Sequence, residues 1–291
     1  MTEKRSGWGF GIVALGAVAA LVWLERRRAL REPKRPGDGN HHRRLAVNLA
    51  IAGLSTAATQ VTMDPVVAPL ARWVEKTRFG LVQRLPAAAW LRDALAVLLL
   101  DYTLYWWHVV EHRVTWLYRF HQVHHADLEL DTSTAVRFHF GELLASVPWR
   151  AAQVVLIGAS PRALVAWQRL SMLSVLFHHS NVRLPLAVER LLARVIVTPR
   201  LHGIHHSIVA EEQDSNWSSG LTIWDRLHGT YRANVPQDEI EIGVPAFRES
   251  ADVTLAQSLA MPLNQLPPWR LPDGTEPVRH QSIGSQHLLL D

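Results

Sequence analysis

Apolar residues along this chain gather into long blocks separated by short polar and basic stretches. The first block, "GWGFGIVALGAVAALVWL" at 7–24, is long enough to cross a hydrocarbon core as a helix. A second, "LAVNLAIAGLSTAATQVTM" at 45–63, ends before Asp64-Pro65, and a third, "AAAWLRDALAVLLLDYTLYWW", covers 87–107. Between them, 66–86 alternates apolar and basic residues in the manner of an amphipathic helix lying flat on a membrane surface. Two shorter apolar stretches, 141–159 and 162–177, flank "ASPR", whose proline marks a turn, and so predict a helical hairpin. The expected fold is all-α, an integral membrane helical bundle of about four spans or a hairpin equivalent. Three parts follow from the pattern: membrane anchor helices and an interfacial segment at 1–86, a histidine-rich unit at 87–232, and a Pro-rich, partly disordered surface tail at 233–291.

Charge orients the bundle. The stretch after the first block, "ERRRALREPKRPGDGNHHRR", carries eight Lys or Arg residues against two before the block, which puts this loop in the cytoplasm and the N-terminus outside. The same order argues against a cleaved signal peptide, whose positive charge precedes its apolar run. Because a hairpin returns to the face it left, the histidine groups described next all fall on the cytoplasmic side. A net charge of +4 and a pI near 9.8 suit a membrane protein with basic cytoplasmic loops, and no nucleic-acid partner is expected. The Ala-, Arg- and Leu-rich composition suggests a bacterial cytoplasmic membrane.

The chain has no cysteine, so any metal rests on His, Asp or Glu. Of sixteen histidines, eleven fall between 108 and 206. His108 and His112 are spaced i, i+4 and share one helical face, with Asp101 seven residues earlier on that face. "FHQVHHAD" supplies His121, His124 and His125, "FHHSN" supplies His178 and His179, and "TPRLHGIHHS" supplies His202, His205 and His206 behind a Thr198-Pro199 helix start. Of the adjacent pair 178 and 179, one ring suffices to face a metal, and His179 is favoured. Neutral imidazole suits iron, zinc, copper or nickel, and ten clustered rings are enough for two ions. His41, His42, His280 and His287 stand apart and read as surface residues. Aromatic residues around the boxes, including Trp106 and Trp116, read chiefly as an interfacial belt.

In this order, H-x-x-x-H at 108–112 and H-x-x-H-H at 121–125 and again at 202–206 resemble the histidine boxes of the fatty acid hydroxylase and sterol desaturase superfamily. "STAVRFHFGELL" and "NWSSGLTIWDRLHGTY" are also similar to segments of that family, so the likeness runs from about 100 to 231. Two positions depart from the family pattern, Phe140 in place of Pro and His228 in place of Phe, and His228 reads as solvated. The resemblance implies a cytoplasmic di-metal cap holding two non-haem iron ions, with O2 as co-substrate, that hydroxylates or desaturates a membrane lipid. His139, beside or paired with Glu142, is expected to support the ligands, as are Asp101, Asp214 and Asn216. No bound flavin, haem or nicotinamide is expected, so electrons must come from a separate reductase, ferredoxin or cytochrome-type partner. A membrane metal-binding or transport protein and a metal-dependent hydrolase are the rival readings.

Overall fold

A computed structural model of the chain describes residues 2–32 and 40–279. Among these residues the structure is helical, with three isolated bridges and no strand. In chain order the helices are α1 (Thr2–Arg27), α2 (Asn40–Ala58), α3 (Asp64–Thr77), α4 (Ala89–Arg113), α5 (Thr115–His125), α6 (Phe140–Ile157) and α7 (Pro161–His179). Five short ones follow: α8 (Leu186–Leu192), α9 (Pro199–His205), α10 (Ala210–Gln213), α11 (Ile223–His228) and α12 (Leu255–Ala260). Among the described residues two stretches are long and apolar enough to cross a membrane, Gly9–Arg27 and His41–Arg84.

The second of these is longer than the sequence pattern indicated. Pro65 has no amide to donate four residues back, yet the helix passes through it by way of a π-helical segment, Thr59–Met63, that joins α2 to α3. Residues 64–77 therefore prolong the helix, in place of an interfacial segment lying flat. Their apolar stripe, Val67, Ala71 and Val74, packs with Val154, Ile157, Ala163 and Leu164 of the hairpin, while Val66 and Trp73 on the other side of the helix stay exposed. The α6–α7 hairpin itself forms as expected, with Ser160 Oγ capping α7 through Ala163 N and donating to Asp93. Its tip lies against the 78–84 turn. Gly80 and Gly158 meet there backbone to backbone at positive φ, and a Cβ on Gly80 would stand 2.4 Å from Gly158 Cα.

At the other end of the bundle, the start of α2, the ends of α4, α5 and α7 and the start of α6 converge on one polar layer. Arg137, almost fully buried, holds it together by donating to Val123 O, Asn48 Oδ1 and Ser258 Oγ. Asp127 is equally buried and accepts from Arg44, Asn48 and Thr134. The segment from 233 differs from the expected surface tail. Ile240 and Ile242 pack with Leu130 and Ile204, and Val244, Val253 and Met261 with Val47, Val123 and Ala126, so the segment roofs the layer. Its end is clamped by Arg279, which pairs with both oxygens of the buried Glu212 at 2.9 Å. The proline-rich composition of this stretch hid the apolar anchors spaced through it.

Candidate metal centre

Nine of the ten box histidines meet in the polar layer as two groups. His108, His112, His121, His125 and His205 form one, and His124, His179, His202 and His206 the other; within each, the ring nitrogens lie within 4.8 Å of one another. Helical geometry explains the division. Residues four apart differ by about 40° around a helix, whereas a residue three along falls on the other side of the pair. So α5 sends His121 and His125 to the five-ring group and His124 to the four-ring group, and the second triad sends His202 and His206 to one and His205 to the other.

The proton positions of several rings follow from their partners. His108 Nδ1 faces Trp217 O at 2.7 Å, His205 Nδ1 faces Ser215 O at 2.9 Å and His179 Nδ1 faces Val175 O at 2.8 Å. A carbonyl only accepts, so each Nδ1 carries the hydrogen and each Nε2 presents a lone pair. His121 Nδ1 is likewise set against Glu142 Oε1 at 3.2 Å. In the four-ring group, His179 Nε2 stands 3.0 Å from both His124 Nε2 and His202 Nε2, and His202 Nε2 stands 3.1 Å from His206 Nε2. With its one proton on Nδ1, His179 has nothing to donate to either neighbour. Elsewhere in the two groups, buried ring nitrogens have no hydrogen-bond partner, among them Nε2 of His112, His125 and His205. A cation in each group is the chemistry that satisfies this many inward lone pairs, and an all-imidazole set suits iron, copper, zinc or nickel. Burial first, then the neighbouring rings, pushes His205 down to about 3 and holds His202 and His206 well below the ordinary imidazole value. All three rings are therefore neutral at physiological pH, the state in which imidazole binds metal.

His178 belongs to neither group; its ring bonds the backbone of Ser219. His139 caps α6, its Nδ1 accepting from Gly141 N at 3.0 Å, and touches no member of either group's nitrogen set. Asp101 and Asp214 are also away from the rings. Asp101 accepts from Leu221 N and Trp224 Nε1, and Asp214 pairs with Arg113 at the surface. His228, expected in solvent, is instead stacked beside Tyr102 and Tyr105 and bonded to Tyr102 Oη at 3.2 Å. His41 and His42 are exposed, while His280 and His287 lie outside the described residues.

Asn216 acts on the rings through the backbone. It sits in the left-handed region at φ 51°, where its Nδ2 donates to Leu201 O and Arg232 O while Oδ1 accepts from Arg232 N. This fixes the carbonyls on either side of it, Ser215 O and Trp217 O, which orient His205 and His108. Asp225 holds the same turn by accepting from Trp217 N and Ser218 N.

A family model described as fatty acid hydroxylase matches residues 94–230, a stretch containing all nine rings. An ornithine lipid hydroxylase of Rhizobium tropici is 28% identical over 240 residues, covering 81% of this chain and 70% of that protein. Across this histidine-bearing stretch the chain is similar to the fatty acid hydroxylase superfamily. A cholesterol 25-hydroxylase-like protein of Danio rerio is 31% identical over 47% of this chain and 54% of its own length. The human alkylglycerol monooxygenase is 28% identical over 47% of this chain, which spans only 30% of that longer protein. No solved structure matches the chain.

Two further residues at the candidate site are not apparent from the sequence spacing. Glu111 sits between the two histidines of the first box and its Oε2 lies 3.9 Å from His121 Nδ1, beside Glu142. Its place in H-V-V-E-H was the available signal, since i+3 from His108 points toward the same side of α4. Trp217 packs its ring on His112 at 4.5 Å and lends its carbonyl to His108. Nothing in the spacing of the boxes announced that role.

Proposed function

We propose that this chain is a membrane-bound lipid hydroxylase whose five-ring and four-ring histidine groups each hold one iron ion. The observation that carries the reading is the convergence of nine imidazoles, eight buried and His112 half-buried, into two sets of facing lone pairs. His108, His112, His121, His125 and His205 would hold one ion and His124, His179, His202 and His206 the other. When bound, two irons supply the activation of O2 that places one oxygen atom in a C–H bond of a lipid, with two electrons delivered by a separate donor protein.

The chain's own residues prepare that chemistry. Ser215 O, Trp217 O, Val175 O and Glu142 each fix the proton of one ring on Nδ1, so Nε2 is free to bind. The segment from 233 to 279 excludes water from the layer, which strengthens every electrostatic interaction inside it. The relatives support hydroxylation: each of the three is named for adding oxygen to a lipid-class substrate. Residues 1–86 anchor the chain and 87–232 carry the chemistry. The arginines at the end of α1 and the start of α2 support a cytoplasmic position for the histidine layer in a bacterial inner membrane.

Total lipids of cells carrying the wild-type gene should contain a species one oxygen atom heavier than in cells without it, by mass spectrometry. His121→Ala cells should lack that species. A lipid profile unaffected by the gene, or a species retained in His121→Ala cells, contradicts the proposal.

A further inference from the structure

Two short helices beside the histidine layer carry apolar residues that face no protein. On α8 and the turn after it, Val188, Leu191 and Val195 point outward, and on α11 Ile223 and Leu227 do the same, with exposures from 45% at Val188 to 66% at Leu227. Exposed Arg183, Arg190, Arg194 and Arg226 are interleaved with them. The carboxylate of α8, Glu189, is turned inward and fully buried against Arg200, so the outer face is cationic as well as apolar.

The two helices are one unit. Thr222, the residue before α11, donates through Oγ1 to Ala193 O and through its amide to Val195 O, and Val197 N donates to Gly220 O. The unit's height relative to the metal centre is fixed by Asp101. This residue holds Leu221 N and Trp224 Nε1, yet it precedes His108 by seven residues, or about 10 Å of helix rise toward the apolar part of α4. On α7, Ser174 holds Ser219 O in the same way, five residues before His179. Residues 219–228 therefore sit on the bundle side of the histidine layer. The crossing stretch Gly9–Arg27 ends at this level too, where Arg183 N donates to Arg28 O. A cleft of about 400 Å³ opens there, lined by Arg27, Arg28, Glu32, Arg183 and Leu184.

We infer that α8 and α11 form a shelf lying in the membrane interface, with Leu191 and Leu227 among the acyl chains and the arginines and adjoining cleft on the phosphates of anionic lipids. The occupant is the lipid surface itself: the shelf is continuous with the crossing helices, and its charge complements the anionic cytoplasmic leaflet. The interfacial element of this protein is thus 183–196 with 223–228. The inference does not depend on which metal the rings hold.

The absence of native cysteine makes the test direct. Full-length Leu191→Cys, Leu227→Cys and Glu276→Cys are spin-labelled and placed in nanodiscs of phosphatidylcholine with phosphatidylglycerol. Labels at 191 and 227 should be relaxed more by oxygen than by a water-soluble nickel chelate, and the label at the exposed position 276 should show the reverse order. Nickel-dominated relaxation at 191 and 227 overturns the inference, as does spin–spin broadening from a second copy docked on the shelf. In a second arm, wild-type protein extracted in detergent should retain phosphatidylglycerol in preference to phosphatidylcholine. The Arg183→Gln, Arg190→Gln, Arg194→Gln triple variant should lose that preference, and unchanged retention overturns the role of the arginines.

Discussion

Replacing Asn216 by alanine tests whether the metal centre is oriented from the backbone. Asn216 is 1% exposed and makes three side-chain hydrogen bonds, two from Nδ2 at 2.9 Å and 2.7 Å and one to Oδ1 at 2.9 Å. At about 1 kcal/mol net per bond, their loss destabilises the fold by about 3 kcal/mol. Alanine also tolerates the left-handed φ of 51° poorly, which adds about 1 kcal/mol. A total near 4 kcal/mol is in the range that only a specific buried feature reaches. Asn216→Gly removes the same bonds but relieves the backbone, so it should be the milder variant by about 1 kcal/mol. Because Ser215 O and Trp217 O lose their anchor, metal affinity of the five-ring group should fall about 10- to 100-fold in both variants. Denaturant unfolding in detergent and metal titration read the two effects separately. Wild-type stability in Asn216→Ala, or unaltered affinity in both variants, would refute the reasoning.

The remaining expectations concern the rings and their supports. His179→Ala should lose one of two bound metal ions while His178→Ala keeps both, read by metal analysis of the purified protein; equal losses would contradict the grouping. Glu142→Ala strands the Nδ1 proton of His121 and should weaken metal binding about 10- to 100-fold, with Glu142→Gln closer to wild type because its amide oxygen still accepts. In metal-stripped protein, His205 takes up its proton at about 3 in the fold and at its ordinary 6.5 when unfolded. Stability is then full above pH 6.5 and falls as pH drops toward 3, by up to about 1.4 kcal/mol per pH unit for each such ring. Thermal unfolding with a chelator present should show a lower midpoint at about pH 5 than at about pH 7.5, and a midpoint that rises on acidification would contradict it.

The helices that carry the boxes were legible because their apolar periodicity and the i, i+3, i+4 histidine spacing are both local properties of the chain. The Thr198-Pro199 start of α9 was legible for the same reason: Thr198 Oγ1 caps Leu201 N as the cap residues announce. The division of each triad between two groups was not, since it depends on which helix faces which. Proline gave misleading signals twice. At Pro65 a π-helical segment carries the helix onward, and after 233 the prolines separate buried anchors such as Ile240 and Val253. Asp101 and Asn216 were singled out as supports beside the metal, and both turned out to hold the loop from 215 to 224, Asn216 at one end and Asp101 at the other. Sequence spacing brought them near the centre but could not show which of their atoms met backbone.

The most direct measurement is the metal content of full-length protein purified from iron-supplied cells, determined by mass spectrometry together with Mössbauer spectroscopy. Two irons per chain in nitrogen-rich environments, one of them lost in His179→Ala, is the expected result. A single ion per chain, or two ions of zinc in a protein that consumes no O2, would contradict the assignment of the two histidine groups to a pair of irons.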